Sequence, residues 1–157
     1  MNIIKLIISI LVCQAAGLIG AVFTTSSIPT WYATLEKPFF TPPNWLFAPA
    51  WTTLFLLMGI SLYIVWDKGL KDRNVKIGIN MFATQLMLNI LWSILFFGLQ
   101  SPLYGFIEII LLWIAILITI WQFNKISRTA SMLLVPYIAW VTFAAALNLA
   151  VFLLNGI

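Results

Sequence analysis

Residues 42–52 read PPNWLFAPAWT, and this stretch stands at the entrance of a long apolar segment. Proline fixes φ and lacks a backbone donor, so Pro42 and Pro43 do not belong in a helix interior. Pro49 is tolerated in the first turn of a helix, where a missing N–H loses no partner. The stretch therefore predicts a stiff, aromatic-rich loop that leads directly into a helix.

The chain around this stretch is too apolar for a water-soluble domain. Of its 157 residues, 63% are hydrophobic and 8% are charged, and the mean hydropathy is +1.08. This composition makes the lipid bilayer the expected solvent. The chain contains no histidine and a single cysteine, Cys13, which excludes an intrachain disulfide, histidine-ligated zinc or haem and a histidine-based catalytic triad. We expect no metal, no required cofactor and no nucleic-acid partner.

Five apolar segments are each long enough to cross a membrane as a helix, which takes about 20 residues. Helices are expected because lipid offers no hydrogen-bond partner to an open backbone. The sequence predicts an all-α integral membrane protein: a bundle of five transmembrane helices, with a structured loop between the first two, in a single domain over residues 1–157. The five segments are Ile4–Thr25, Leu46–Trp66, Ile77–Leu99, Tyr104–Gln122 and Ser131–Leu154.

The first segment contains two pairs of small residues at helical spacing. These pairs, Ala16-x-x-x-Gly20 and Gly17-x-x-x-Ala21, allow a second helix to approach closely. They indicate a helix that packs in the bundle rather than a cleaved signal peptide.

The basic residues predict the orientation of the chain in the membrane. Seven of the eight lie on one side, and Lys37 is the only one on the other side. Because cytoplasmic loops are enriched in Lys and Arg, the N-terminus is expected in the cytoplasm, and the first loop and C-terminus outside it. The seven are Lys5, Lys68, Lys71, Arg73, Lys76, Lys125 and Arg128.

The first loop, predicted over Ser26–Trp45, carries four prolines and five aromatic residues. One interpretation is an interfacial belt, since Trp and Tyr settle at headgroup level whatever the function. The other is a rigid lid over a ligand, which explains the prolines because a belt needs no stiffness. Both interpretations remain open for Trp31 and Trp45.

Three of the segments present a face rich in aromatic residues, and two of these faces also carry amide side chains. Polar side chains within a span usually face the bundle interior, so these faces are expected to converge on an apolar cavity beneath the loop. Alternatively, the amides of Gln85, Asn89 and Asn148 only hold helices together. Glu108 is expected to snorkel to the membrane surface. The faces consist of Trp51, Phe55, Met58, Gly59 and Leu62; of Gln85, Asn89, Trp92, Ser93 and Phe96; and of Pro136, Trp140, Phe143, Ala144, Leu147 and Asn148.

Three motifs on these faces resemble those of the translocator protein / tryptophan-rich sensory protein (TspO/MBR) family. They lie in the family's order and spacing, and the resemblance spans nearly the whole chain. The length and charge layout are similar to those of a bacterial member, located in the cell membrane. The motifs are Pro43-x-Trp45-x-Phe47-x-Pro49-x-Trp51-Thr52, Asn89-x-x-Trp92-Ser93-x-x-Phe96-Phe97-Gly98 and Pro136-Tyr137-x-Ala139-Trp140-x-x-Phe143-x-x-x-Leu147-Asn148.

The resemblance implies a homodimer that binds porphyrins such as protoporphyrin IX, and isoquinoline carboxamides, in a pocket capped by the first loop. Tyr32, Pro42 and Pro43 would belong to the lid. Sterol binding through the C-terminal pattern of animal members is in doubt, because residues 149–157 contain neither a tyrosine nor a basic residue. The implied pocket residues are Trp51, Asn89, Trp92, Trp140, Ala144, Leu147 and Asn148. Phe55, one turn after Trp51, is a further ligand-binding candidate, which makes eleven predicted site residues.

Three functions remain open. The first is a receptor or sensor that binds a porphyrin or another apolar small molecule. The second is light- and oxygen-dependent degradation of a porphyrin substrate, with Trp51 and Trp140 as candidate catalytic residues because their indole rings are oxidisable. The third is passive transport of porphyrins or apolar metabolites.

Overall fold

A computed structural model describes all 157 residues, and every regular element in it is helical. Five stretches are long and apolar enough to cross a membrane. The predicted five-helix integral membrane bundle is confirmed. The α-helices are α1 (Ile3–Ser27), α2 (Phe47–Asp67), α3 (Arg73–Ser93), α4 (Pro102–Asn124), α5 (Arg128–Leu133) and α6 (Val135–Asn155).

The connection between α1 and α2 is shorter than the predicted loop Ser26–Trp45. Helix α1 runs to Ser27 and continues into a π-helical turn, Ile28–Tyr32. Pro29 has no N–H to donate to the carbonyl four residues before it. The hydrogen bonds of a π-helical turn join residues five apart, and they let the helix continue past the proline. A 3₁₀ turn, Asn44–Leu46, then precedes α2. Between α1 and α2, only residues 35–43 are non-helical, and from here on we call these residues the first loop. We call the end of the bundle on which they lie the loop end.

The fifth predicted segment is divided in two. Helix α5 ends at Leu133, and α6 begins at Val135 with a proline, Pro136, in its first turn. Because Pro136 has no N–H to donate backwards, the hydrogen-bond ladder restarts at this point. Helices α5 and α6 together make one apolar span, Arg128–Asn155.

Small residues bring α1 close to its neighbours, as predicted. A Cβ atom on Gly17 would lie 2.7 Å from the ring of Phe55 in α2, and one on Gly20 would lie 2.9 Å from Ser93 Oγ in α3. Lower in the bundle, a Cβ on Gly59 would lie 2.7 Å from the Cα of Ile10. Helix α1 is therefore in close contact with both α2 and α3, with backbone against backbone at Gly59.

The bundle is densely packed at the end opposite the loop. Phe82 of α3 stacks on Phe123 of α4 with ring centroids 5.8 Å apart. Nearby, Ser61 Oγ donates to the carbonyl oxygen of Ala130 at 2.7 Å, which ties α2 to α5. Val65 and Val75 are fully buried in the same region. Any internal space must therefore lie toward the loop end.

The expectation for Glu108 was wrong. Its side chain is 3% exposed and points into the bundle, and neither carboxylate oxygen has a hydrogen-bond partner in the protein. Gly105, Ile109 and Leu112 share the same buried face of α4. The rotational phase of α4 turns this face inward, so Glu108 cannot snorkel despite its position near the helix end.

Candidate functional site

A cavity of about 510 Å³ lies between α1, α2, α3 and α6 toward the loop end. Its volume is within the range of small-molecule pockets, roughly 300–1,000 Å³. Sixteen of its 27 lining residues are hydrophobic. We call this cavity the chamber.

Nine of the eleven predicted site residues line the chamber. Pro42 and Pro43 do not line it: Pro43 precedes the 3₁₀ turn, and it is Asn44 within that turn that reaches the chamber. The nine are Tyr32, Trp51, Phe55, Asn89, Trp92, Trp140, Ala144, Leu147 and Asn148.

Sequence reasoning missed the contribution of α1, which forms a whole wall. Its residues recur along one helical face, and several of them are small. The small-residue pairs of α1 indicate packing positions, and the same absence of bulk also leaves room for the chamber. The α1 wall consists of Gln14, Ala16, Gly17, Leu18, Gly20, Ala21, Thr24 and Thr25.

One aromatic cluster forms the α2 and α6 side of the chamber. The ring of Trp51 stacks on Phe55 with centroids 5.6 Å apart, and meets Trp140 edge to face at 6.4 Å. Phe47, in the first turn of α2, also contacts Trp140 at 6.3 Å. These offset and edge-to-face arrangements are the favoured geometries for aromatic pairs.

A second aromatic cluster lies on the α3 side. Trp92 stacks on Phe96 at 5.3 Å, and Tyr32 from the π-helical turn contacts Phe96 at 6.4 Å and Phe97 at 5.8 Å. Tyr32 is 3% exposed, so it is part of the protein interior rather than of an interfacial belt. The lid interpretation is therefore the better one for Tyr32.

The predicted amides bridge helices and, in two cases, also face the chamber. Asn89 Nδ2 donates to the hydroxyl of Tyr137 at 2.8 Å, and that hydroxyl donates to Gln85 Oε1 at 2.8 Å. Trp92 Nε1 donates to Asn148 Oδ1 at 3.1 Å. Both interpretations hold for Asn89 and Asn148, whereas Gln85 does not line the chamber and has the bridging role alone.

The first loop is fastened to the end of α6. The backbone N–H of Glu36 donates to Asn155 Oδ1 at 2.9 Å, and Asn155 Nδ2 donates back to the carbonyl of Glu36 at 2.9 Å. Phe40 contacts Phe143 of α6 edge to face at 6.1 Å. These contacts hold the loop over the α6 side of the chamber.

The chamber opens on its α1–α2 side. Six of its lining residues are exposed at the protein surface: Leu18 and Thr25 in α1, Pro29 in the π-helical turn, Asn44 in the 3₁₀ turn, and Ala48 and Thr52 in α2. Gln14 Nε2 donates to the carbonyl of Thr52 at 3.1 Å, which joins the two helices. The gap lies between this bond and the loop end.

These features define the class of the molecule: a helical integral membrane protein with an internal, tryptophan-lined chamber that opens between two of its helices. The chain belongs to the TspO/MBR family, whose family model matches residues 9–154.

Several members of this family resemble the whole chain. The tryptophan-rich protein TspO of Archaeoglobus fulgidus is 57% identical over 157 residues, which cover 99% of this chain and 100% of that protein. The translocator protein of Ovis aries is 35% identical, covering 88% of this chain and 82% of that protein. The tryptophan-rich sensory protein of Cereibacter sphaeroides is 32% identical, covering 91% and 86%.

The buried hydroxyl of Tyr137 makes a testable contribution to stability. Tyr137→Phe removes the group that links Asn89 to Gln85 and leaves buried amide atoms unpaired, so we expect a loss of about 1–2 kcal/mol in the free energy of unfolding. Thermal denaturation in detergent measures it. Tyr104→Phe is the control, because Tyr104 is 57% exposed. Equal stability of the two variants would contradict the prediction.

Proposed function

We propose that this protein is a membrane receptor or sensor that binds flat, largely apolar small molecules in the chamber. Tetrapyrroles such as protoporphyrin IX and isoquinoline carboxamides are the expected ligand classes. The observation that carries the proposal is the convergence of Trp51, Trp92 and Trp140, from three different helices, on one cavity of about 510 Å³. Indole rings present large apolar faces and edges against which a planar ligand can stack.

The chamber also has the few placed polar groups that orient a ligand. Asn89 and Asn148 lie in its wall, each held by a hydrogen bond to a neighbouring helix. An amide held in this way costs little further entropy when it contacts a ligand. The same bonds couple the wall to α4 and α6, which offers a physical route from ligand binding to helix movement.

Filling the chamber should weaken binding. Ala144→Phe places a ring among the lining residues, so the affinity for protoporphyrin IX should fall about tenfold or more, which is a loss of about 1.4 kcal/mol in binding free energy. Quenching of tryptophan fluorescence measures the affinity. Ala146→Phe is the matched control: it lies on the same helix, is exposed and does not line the chamber. Equal affinity of both variants and the wild type would remove the chamber as the binding site.

We further propose that the loop end faces away from the cytoplasm, on the distribution of seven basic residues against one. Glu36 and Lys71 are both exposed and lie at opposite ends of the bundle. In intact cells, a membrane-impermeant maleimide should label Glu36→Cys and not Lys71→Cys. Cys13 is fully buried and contributes little background. The reverse labelling pattern would invert the orientation.

Light-dependent porphyrin degradation is a second candidate, favoured by the contact between Trp51 and Trp140 within the chamber. Bound porphyrin would act as photosensitiser, with oxygen as oxidant and the two indole rings within reach. Trp51→Phe with Trp140→Phe should then slow the light-dependent loss of absorbance, measured per molecule of bound porphyrin, about tenfold. If the wild-type protein loses porphyrin absorbance no faster than a tryptophan-free peptide does under the same light, this candidate is eliminated.

A further inference from the structure

The chamber contains no charged side chain. None of its 27 lining residues is Lys, Arg, Asp or Glu, and its polar members are amides and hydroxyls. Tetrapyrroles of the protoporphyrin type carry carboxylates, and an ionised carboxylate taken out of water needs a paired cation or several donors. The chamber provides no such cation.

Several hydrogen-bond donors of the chamber are engaged within the protein. Asn89 Nδ2 donates to Tyr137, Asn148 Nδ2 donates to the carbonyl of Pro102 at 2.7 Å, and Trp92 Nε1 donates to Asn148. The hydroxyls on the opening side are engaged as well: those of Thr24, Thr25 and Thr52 donate to carbonyls four residues earlier in their own helices. The remaining donors, such as the indole N–H groups of Trp51 and Trp140, are neutral, so an ionised carboxylate inside the chamber would have no paired cation.

The basic residue of the first loop does not supply the missing charge. Lys37 does not line the chamber. Its Nζ donates to the carbonyl of Leu35 at 2.9 Å and lies 4.8 Å from the ring centroid of Tyr32. Tyr32, which does line the chamber, is in contact with this ammonium group through its ring.

The opening between α1 and α2 is where a charged group can remain hydrated. Thr25 lies on its rim, is exposed, and is the last residue of the predicted apolar segment Ile4–Thr25. The end of a segment of about 20 apolar residues lies near the level of the lipid headgroups, where water and ions are accessible. A planar ligand can thus insert one edge into the chamber and leave the opposite edge in the gap.

We propose that the chamber receives only the uncharged part of its ligand, and that the acidic side chains of a tetrapyrrole stay in the α1–α2 opening near Thr25. This inference rests on the proposed function and specifies its ligand class: planar molecules with at least one wholly uncharged edge. Neutralising the acidic groups should cost no affinity, because they make no ion pair with the protein.

The first test compares the binding affinities of protoporphyrin IX and its dimethyl ester for the full chain in lipid nanodiscs. Nanodiscs that contain the Ala144→Phe variant give the signal from partition into lipid, which is subtracted. The ester should bind as tightly as the free acid, within about threefold, or more tightly. Binding of the acid at least tenfold tighter than the ester would overturn the inference and leave the proposed function standing. Binding of neither compound would overturn both.

The second test adds a cation at the proposed position of the acidic groups. Thr25→Lys should tighten binding of the free acid about tenfold and leave the ester unchanged, since a lysine at this level can extend to the headgroup region and pair with a carboxylate. Ser26→Lys is the matched control: Ser26 is also exposed and bonded to a carbonyl four residues earlier, but it does not line the chamber. No difference between the two variants would overturn the inference.

Discussion

Every part of this structure depends on satisfying the backbone inside hydrocarbon. Of 120 backbone hydrogen bonds, 102 lie within helices, so almost no polar backbone is left for tertiary contacts. Where proline removes a donor, at Pro29 and Pro136, the chain responds with a π-helical turn or a new helix start rather than an open strand. The bundle must then be assembled by packing and by a few side-chain hydrogen bonds.

The size of side chains decides where this bundle is solid and where it is hollow. Away from the loop, Phe82, Phe123 and fully buried valines fill the space between helices. Toward the loop, Gly17, Gly20 and Ala21 of α1 lie opposite large rings of α2, α3 and α6. Rings at fixed angles to one another do not collapse into the remaining space, so a chamber persists.

The polar residues of the chamber serve the fold and the site through the same bonds. Asn148 receives the indole N–H of Trp92 and donates to Pro102, so it joins α3, α4 and α6 while facing the chamber. These bonds hold three helices together, and no charged side chain lines the wall. An apolar, rigid and uncharged wall suits a planar ligand whose ionised groups remain outside it.

The sequence by itself determined the five membrane spans and the inward faces of α2, α3 and α6. Nine of the eleven candidate site residues that it named line the chamber. These follow from hydropathy and from helical periodicity, which are properties of a single segment, and from motif spacing. Only the tertiary structure decided that α1 forms a wall, that Glu108 is buried, and that Pro42 and Pro43 lie beside the chamber rather than in it. Those outcomes depend on the rotation of each helix about its axis and on how closely two helices approach, and neither quantity is encoded within one segment.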